Sequence, residues 1–262
     1  LLPGVTLRLA SLLSNLEKRV RASRRAVLLF SGGLDSTLLL AVGRAVLGSE
    51  FAALTLRGPH IAPGELAAAF GLARRLGVKH IIREIDPLNL PDFRGNTPAR
   101  CYVCKKAVIE RGWEIAGMLG ADALWDGTNL DDLDDFRPGL EAARELGVAS
   151  PLLEAGLGKR EIRELSRRLG LPWDRPPQSC LATRFPAYTE LTAEKLARVG
   201  RVEAWLKAWG FSHVRLRVRD EDVVLELRPE EWVKFLHPEV RRPFQALISS
   251  LGWRGLELAQ SK

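Results

Sequence analysis

Short apolar runs alternate with longer amphipathic stretches through the first two thirds of the chain. Residues 26–30 (Ala-Val-Leu-Leu-Phe) and 51–56 are apolar runs of strand length, and 80–85 and 121–125, each interrupted by charged side chains, read as the third and fourth strands. Between them lie stretches of helix length: 16–23, the alanine-rich 63–76, 100–119 and 160–169. Three of these end at Gly77, Gly120 and Gly170, and glycine is the residue that most readily takes the left-handed turn closing a helix. Strand alternating with helix predicts an α/β unit over residues 1–175, with a parallel sheet and helices on both faces.

The pattern changes at residues 172–186. Pro172, Pro176, Pro177 and Pro186 crowd this segment, too many for a regular element. It reads as a connector, with its centre at 176–190. Beyond it, 192–209 reads as a helix with Thr192 as N-cap. Residues 214–218 and 223–227 alternate like a hairpin, 238–251 is helical, and 256–258 is a last strand. The tail, 191–262, is therefore expected to be a small α+β domain.

Composition narrows the class. Of 262 residues, 46% are hydrophobic and 27% charged, which suits a chain with a real core. No apolar run approaches the ~20 residues of a membrane span. The first 26 residues, interrupted by Pro3, Arg8, Asn15 and Lys18, lack the core of a signal peptide. A cytoplasmic protein with no membrane partner is expected. The net charge of +7 fits either RNA or a small anionic substrate. Basic residues are scattered, as at Arg74-Arg75 and Arg167-Arg168, rather than massed, so nucleic acid is not expected as the partner.

The chemistry concentrates at SGGLDS, Ser31 to Ser36, between an apolar strand and an apolar helix. Gly32 and Gly33 let an oxyanion approach the backbone closely. The helix beginning near Asp35 offers unpaired N–H groups and a positive dipole end. Ser31 and Ser36 add hydroxyls, and Asp35 a hard oxygen for Mg²⁺. No lysine follows as in a Walker A loop, and no G-x-G-x-x-G is present. The arrangement suits a pyrophosphate.

Other constellations follow. Asp126, Thr128 and Asn129, with Asp131 and Asp132, follow the fourth strand, at the strand end where open α/β sheets bind ligands. Cys101 and Cys104 form a C-x-x-C next to Lys105, compatible with zinc, a redox pair, an iron–sulfur cluster or coincidence. Cys180 lies in the proline-rich connector beside Arg184, a cation that favours thiolate. With three cysteines, a disulfide framework is not expected. Three around an iron–sulfur cluster would leave one iron open. Arg215, Arg217 and Arg219 share one face of a strand and ask for an anion, a phosphate above all. Glu203 and Glu226 stand ready to orient them.

SGGxDS resembles the PP-loop of ATP pyrophosphatases, which cleave ATP between the α and β phosphates. Taken with RCYVCK at 100–105, DGTNLDDLDDFRPG at 126–139, the block 150–174, SCLATR at 179–184 and RLRVR at 215–219, the chain resembles the LarE family over about residues 24–227. It departs from that family at 185–192, FPAYTELT. The resemblance implies a Rossmann-like, HUP-type PP-loop fold. It implies an ATP-dependent sulfurtransferase acting on pyridinium-3,5-biscarboxylic acid mononucleotide, in making the nickel-pincer cofactor of lactate racemase.

By the resemblance, residues 1–175 are the ATP pyrophosphatase domain and 191–262 serve substrate and oligomerisation, in a homo-hexamer. Ser31, Gly32, Gly33, Asp35 and Ser36 cradle pyrophosphate with Mg²⁺. Lys105, Asp126, Thr128 and Asn129 complete the cofactor site, Arg215 and Arg217 hold the substrate phosphate, and Arg184 and Glu203 line the substrate site. The family implies two sulfur sources. In one, Cys180 gives up its own sulfur. In the other, Cys101, Cys104 and Cys180 hold a 4Fe-4S cluster whose open iron carries sulfide from an external donor. All three positions are cysteine here, which favours the cluster. Two rivals are a tRNA-thiolating PP-loop enzyme and an ATP-binding sensor without chemistry.

Overall fold

The computed structural model describes residues 7–133, 138–174 and 179–260. In chain order the first part runs α1 (Leu7–Arg21), β1 (Ala26–Leu29), α2 (Leu34–Leu47), β2 (Phe51–Arg57), α3 (Glu65–Arg75), β3 (Lys79–Glu84), α4 (Pro91–Arg94), α5 (Arg100–Met118), β4 (Ala123–Trp125), α6 (Pro138–Glu145), α7 (Pro151–Glu154) and α8 (Lys159–Arg168). The remainder is α9 (Ala193–Ala208), β5 (Arg215–Arg219), β6 (Asp222–Leu227), α10 (Trp232–Leu236), α11 (Pro238–Ser250) and β7 (Gly255–Gln260). Among the described residues no helix is long and apolar enough to cross a membrane.

Two compact units result. One takes Leu1–Gly58, Glu65–Ile85 and Cys101–Pro177; the other takes Pro59–Gly64, Asp86–Arg100 and Gln178–Lys262. The first is built on a parallel sheet of order β3-β2-β1-β4. Side chains alternate across a strand, and the burial follows suit. Ala26, Leu28, Phe30, Phe51 and Ala53 pack with residues of α1, α2, α3 and α8. Val27, Leu54, Leu56 and Leu124 pack with Ile109, Ile115 and Ala116 of α5 and Ala142 and Ala143 of α6. Both faces are covered, as parallel sheets require. Leu38, Leu39 and Leu40 of α2 are fully buried, each worth about 1.5–3 kcal/mol.

The strand order fixes where a ligand goes. β1 leads outward through α2 to β2, whereas β3 returns through α5, on the opposite face, to β4 beside β1. The connections therefore diverge between the carboxyl ends of β1 and β4, and such a divergence opens a crevice.

In the second unit β5 and β6 form an antiparallel hairpin, turned at Asp220 with φ 53°, and β7 pairs parallel with β6. Leu196, Val199, Val202 and Leu206 of α9 and Val240, Phe244 and Ile248 of α11 are buried. Thr192 caps α9 as expected, its side chain accepting the Lys195 amide at 3.2 Å.

Three expectations need correction. The first helix starts at Leu7 rather than residue 16, because Leu9, Leu16 and Val20 supply one buried stripe over its whole length. The last strand covers Gly255–Gln260 rather than three residues, since β6 offers it six paired positions. Within the proline-rich connector, residues 181–184 form a turn of 3₁₀ helix. Pro176 and Pro177, like Asp134 and Asp135 of the 126–139 motif, lie outside the described residues.

Candidate active site

The turn after β1 is glycine for steric reasons. Gly32 has φ 77°, and a Cβ there would stand 3.0 Å from the Ala69 Cβ. Gly33 is the N-cap of α2 and supplies no side-chain cap, so the helix start is left for an external acceptor. The Ser31 and Ser36 hydroxyls lie 3.1 Å apart. The Gly33 amide donates to Ser31 Oγ at 3.3 Å, and Ser36 Oγ donates to the Gly33 carbonyl at 3.3 Å. A Cβ on Gly127 would come within 3.1 Å of the Ser36 amide, so the loop after β4 presses against the start of α2. Thr55, unremarked in the sequence, donates to the Phe30 carbonyl at 2.7 Å and bonds His80 Nε2 at 2.8 Å, pinning the strand end that carries Ser31.

A cavity of about 300 Å³ opens here, lined by Ser31, Gly33, Asp35, Ser36, Lys105, Asp126, Gly127, Thr128 and Asp132 among others. The two strand-end loops singled out in the sequence therefore meet at one site.

The acids in it differ. Asp126 is 3% exposed. Its carboxylate accepts from Lys105 Nζ at 2.9 Å, Ser150 Oγ at 2.8 Å and the Thr128 amide at 3.1 Å. Burial pushes its pKa up, but the Lys105 charge and these hydrogen bonds outweigh burial and hold it below the usual carboxylate value. Asp35 goes the other way. Burial raises its pKa, Lys159 pulls against that, and the Asp132 charge adds to the rise. One Asp35 oxygen accepts from Lys159 Nζ, while Oδ1 is buried without a partner among the described residues. An orphaned buried carboxylate oxygen beside a second carboxylate, Asp132, fits a divalent cation.

Lys159 was missed as a site residue. It lies within the 150–174 block, but nothing marks one lysine among the charges of Lys159-Arg160-Glu161. Its backbone amide donates to Asp131, at the start of α8. Asn129 is wholly buried and spends both ends of its amide inside the loop. Nδ2 donates to Asp132 at 2.6 Å, and Oδ1 accepts the Asp131 amide at 3.1 Å.

Cys101 and Cys104 occupy the first turn of α5, three residues apart and so on one face. Cys101 is exposed and Cys104 half-buried, an arrangement that suits two ligands of one metal group. Cys180, in the other unit, precedes the 181–184 turn, and its carbonyl accepts from the Thr183 amide and hydroxyl at 3.0 and 2.7 Å. Among the described residues no group of three His, Cys, Asp or Glu is gathered as a metal site.

In the second unit, Arg184 and Glu203 pair with each other. Arg184 Nε donates to Glu203 at 2.6 Å, and a second guanidinium nitrogen does so at 3.2 Å. They are only 5% and 1% exposed. The arginine face is partly neutralised from within, because Arg217 pairs with Glu226 and Arg219 with Glu257. Arg215 has no ion pair among the described residues. Burial presses its pKa below the ordinary arginine value, and the nearby Arg184 charge adds to this. Arg215 is thus the arginine of this face that no carboxylate pairs with among the described residues.

The asparagine synthase family model matches residues 9–102, the stretch from α1 through the Ser31–Ser36 turn to the start of α5. An uncharacterized protein of Synechocystis is 41% identical over 229 residues, 87% of this chain and 85% of that one. The pyridinium-3,5-bisthiocarboxylic acid mononucleotide synthase of Lactiplantibacillus plantarum is 34% identical over 254 residues, 95% of this chain and 91% of its own. A tRNA-specific 2-thiouridylase of Zymomonas mobilis is 25% identical over 190 residues, 58% of this chain and 50% of its own.

Proposed function

The chain belongs to the LarE family, that of the pyridinium-3,5-bisthiocarboxylic acid mononucleotide synthases, and from that premise we propose that it inserts sulfur into the carboxylates of pyridinium-3,5-biscarboxylic acid mononucleotide at the expense of ATP. The observation that carries this is the cavity joining the uncapped start of α2 to the Lys105–Asp126 and Lys159–Asp35 pairs.

In the first step a substrate carboxylate oxygen attacks the α-phosphorus of ATP. The bond from that phosphorus to the bridging oxygen breaks, and pyrophosphate leaves. Carboxylate is a poor electrophile, and AMP makes it a good one. The α2 amides and the Ser31 and Ser36 hydroxyls bind the departing pyrophosphate, in a preorganised site that costs no reorganisation. Lys105 and Lys159 balance its charge. Asp35 and Asp132 would hold Mg²⁺, which supplies Lewis acidity. In the second step a sulfur nucleophile attacks the acyl carbon, and the bond to AMP breaks. Sulfide gives the thiocarboxylate directly. The same sequence at the second carboxylate gives the dithio product. Arg215 holds the substrate phosphate, with Arg217 beside it, and Arg184 is kept in place by Glu203.

For the sulfur source we favour a 4Fe-4S cluster on Cys101, Cys104 and Cys180, which would present a bound sulfide when loaded. A second reading has its own support: Cys180 belongs to the same unit as the arginine face. In it, the Cys180 thiolate forms a thioester, and loss of its Cα proton expels the thiocarboxylate, leaving dehydroalanine. Anaerobic iron and sulfide analysis of wild type and Cys101→Ala separates the two. About four irons per chain, lost in the variant, supports the cluster. An iron-free protein that loses the elements of H₂S from Cys180 on turnover supports the sacrificial route. A cytoplasmic homo-hexamer completes the proposal, and light scattering tests the assembly.

A further inference from the structure

The second unit contains a cavity that the proposed reaction does not use. It has a volume of about 190 Å³ and is walled by Phe185, Trp253 and Val218, with Lys195, Arg198 and Asp220 at its edge. Liquid water occupies about 30 Å³ per molecule, so the space matches a ligand of one ring and one small polar group. Arg198 lies with its guanidinium carbon 4.6 Å from the centre of the Trp253 ring. It has no ion pair or hydrogen bond among the described residues, and its Nε is buried without a partner. Arg198 is half-buried, so its desolvated Nε is costly without an acceptor, and the stacking on Trp253 holds the side chain in place while leaving its planar fork unused. Lys195 lies one turn earlier on α9, and among the described residues its Nζ donates only to the Glu190 carbonyl, at 2.7 Å. Asp220 comes within ion-pair reach of neither cation.

We propose that this cavity binds a small aromatic carboxylate. The flat walls of Phe185 and Trp253 take the ring, and Arg198 takes both carboxylate oxygens. Two cations against one acid leave a lining charge of about one unit, which a single carboxylate balances and a doubly charged phosphate oversteps. The site is distinct from the arginine face. Alternation along β5 puts Val218 on the side opposite Arg217 and Arg219.

The test is calorimetric titration of the full-length protein with benzoate, acetate and inorganic phosphate. Wild type is expected to bind one benzoate per chain, more tightly than acetate or phosphate. Arg198→Gln is expected to weaken benzoate about tenfold or more, since it removes charged hydrogen bonds. Arg198→Lys, which keeps the charge, is expected to recover part of the loss. Arg217→Gln is expected to bind benzoate as wild type does, placing the site away from the arginine face. Absence of saturable benzoate binding at millimolar concentration overturns the proposal, as do equal affinity in folded Arg198→Gln and a preference for phosphate over benzoate.

Discussion

Glu203→Gln isolates the buried pair of the second unit. The substitution keeps the shape of the side chain and an oxygen able to accept the Leu216 amide, which donates to Glu203 at 3.0 Å. It removes the carboxylate that, among the described residues, meets the Arg184 guanidinium. Ser179 and Thr183 then remain as Arg184 partners, at 2.6 and 2.8 Å, and neither carries a charge. Stranding one member of a buried ion pair costs about 3–5 kcal/mol, which lowers Tm by roughly 6–20 °C for a protein of this size. Thermal unfolding followed by circular dichroism reads this directly. Replacing both partners, as Arg184→Met with Glu203→Gln, leaves no orphan charge and keeps an acceptor for the Leu216 amide, and is expected to return stability to within about 1–2 kcal/mol of wild type. The double variant then tests Arg184 as a substrate contact. It should fold and bind ATP yet lose sulfur transfer. A Glu203→Gln protein within about 1 kcal/mol of wild type would refute the pairing as a buried interaction. A fully active double variant would remove Arg184 from the substrate site.

Further predictions concern both units. Lys159→Ala leaves Asp35 without its cation and is expected to slow pyrophosphate release about a hundredfold, read by a coupled pyrophosphate assay. Gly32→Ala forces a Cβ into the Ala69 contact at a positive φ; it should abolish ATP binding in equilibrium dialysis and cost about 1–2 kcal/mol of stability. The depressed Asp126 carboxyl contributes stability that is present above its unfolded value of 3.8 and is lost as pH falls through its lower folded value. Urea titrations should therefore show wild type losing more stability below about pH 4 than Asp126→Asn does. His60 is lowered by burial from 6.5 to about 4. Its contribution is complete above 6.5 and declines as pH falls towards 4, by about 3 kcal/mol in all, a slope that His60→Gln should flatten.

Much of the first unit was legible because its signals are local. A five-residue apolar run can hardly be anything but a strand when SGGLDS follows it, and the glycines at 77, 120 and 170 mark helix ends wherever they stand. All three take positive φ in the structure. The cavity could be foreseen for a topological reason: both singled-out loops follow parallel strands, and these prove to be neighbours, β1 and β4. What escaped was decided by distant partners. Lys159 reaches Asp35 across 124 positions of sequence, and its neighbours Arg160 and Glu161 look equally charged. Residues 59–64 and 86–100 join the second unit, although the strands around them belong to the first, and no break in composition announces this. The alternating arginines were readable as a face, and so was Glu226 in the partner strand, which pairs with Arg217. Glu257 was not, because it comes from β7 and only the parallel register of β7 on β6 brings it to Arg219.

Turnover with a defined substrate tests the central claim most directly. The protein, reconstituted anaerobically, is incubated with ATP, Mg²⁺, sulfide and pyridinium-3,5-biscarboxylic acid mononucleotide, and the nucleotide is analysed by mass spectrometry while pyrophosphate is counted. Pyrophosphate release is expected to depend on that substrate, with a carboxylate oxygen exchanged for sulfur at each acyl position. Release of pyrophosphate only with tRNA as acceptor, or no exchange of oxygen for sulfur by ATP-binding protein, would contradict the proposed sulfur transfer.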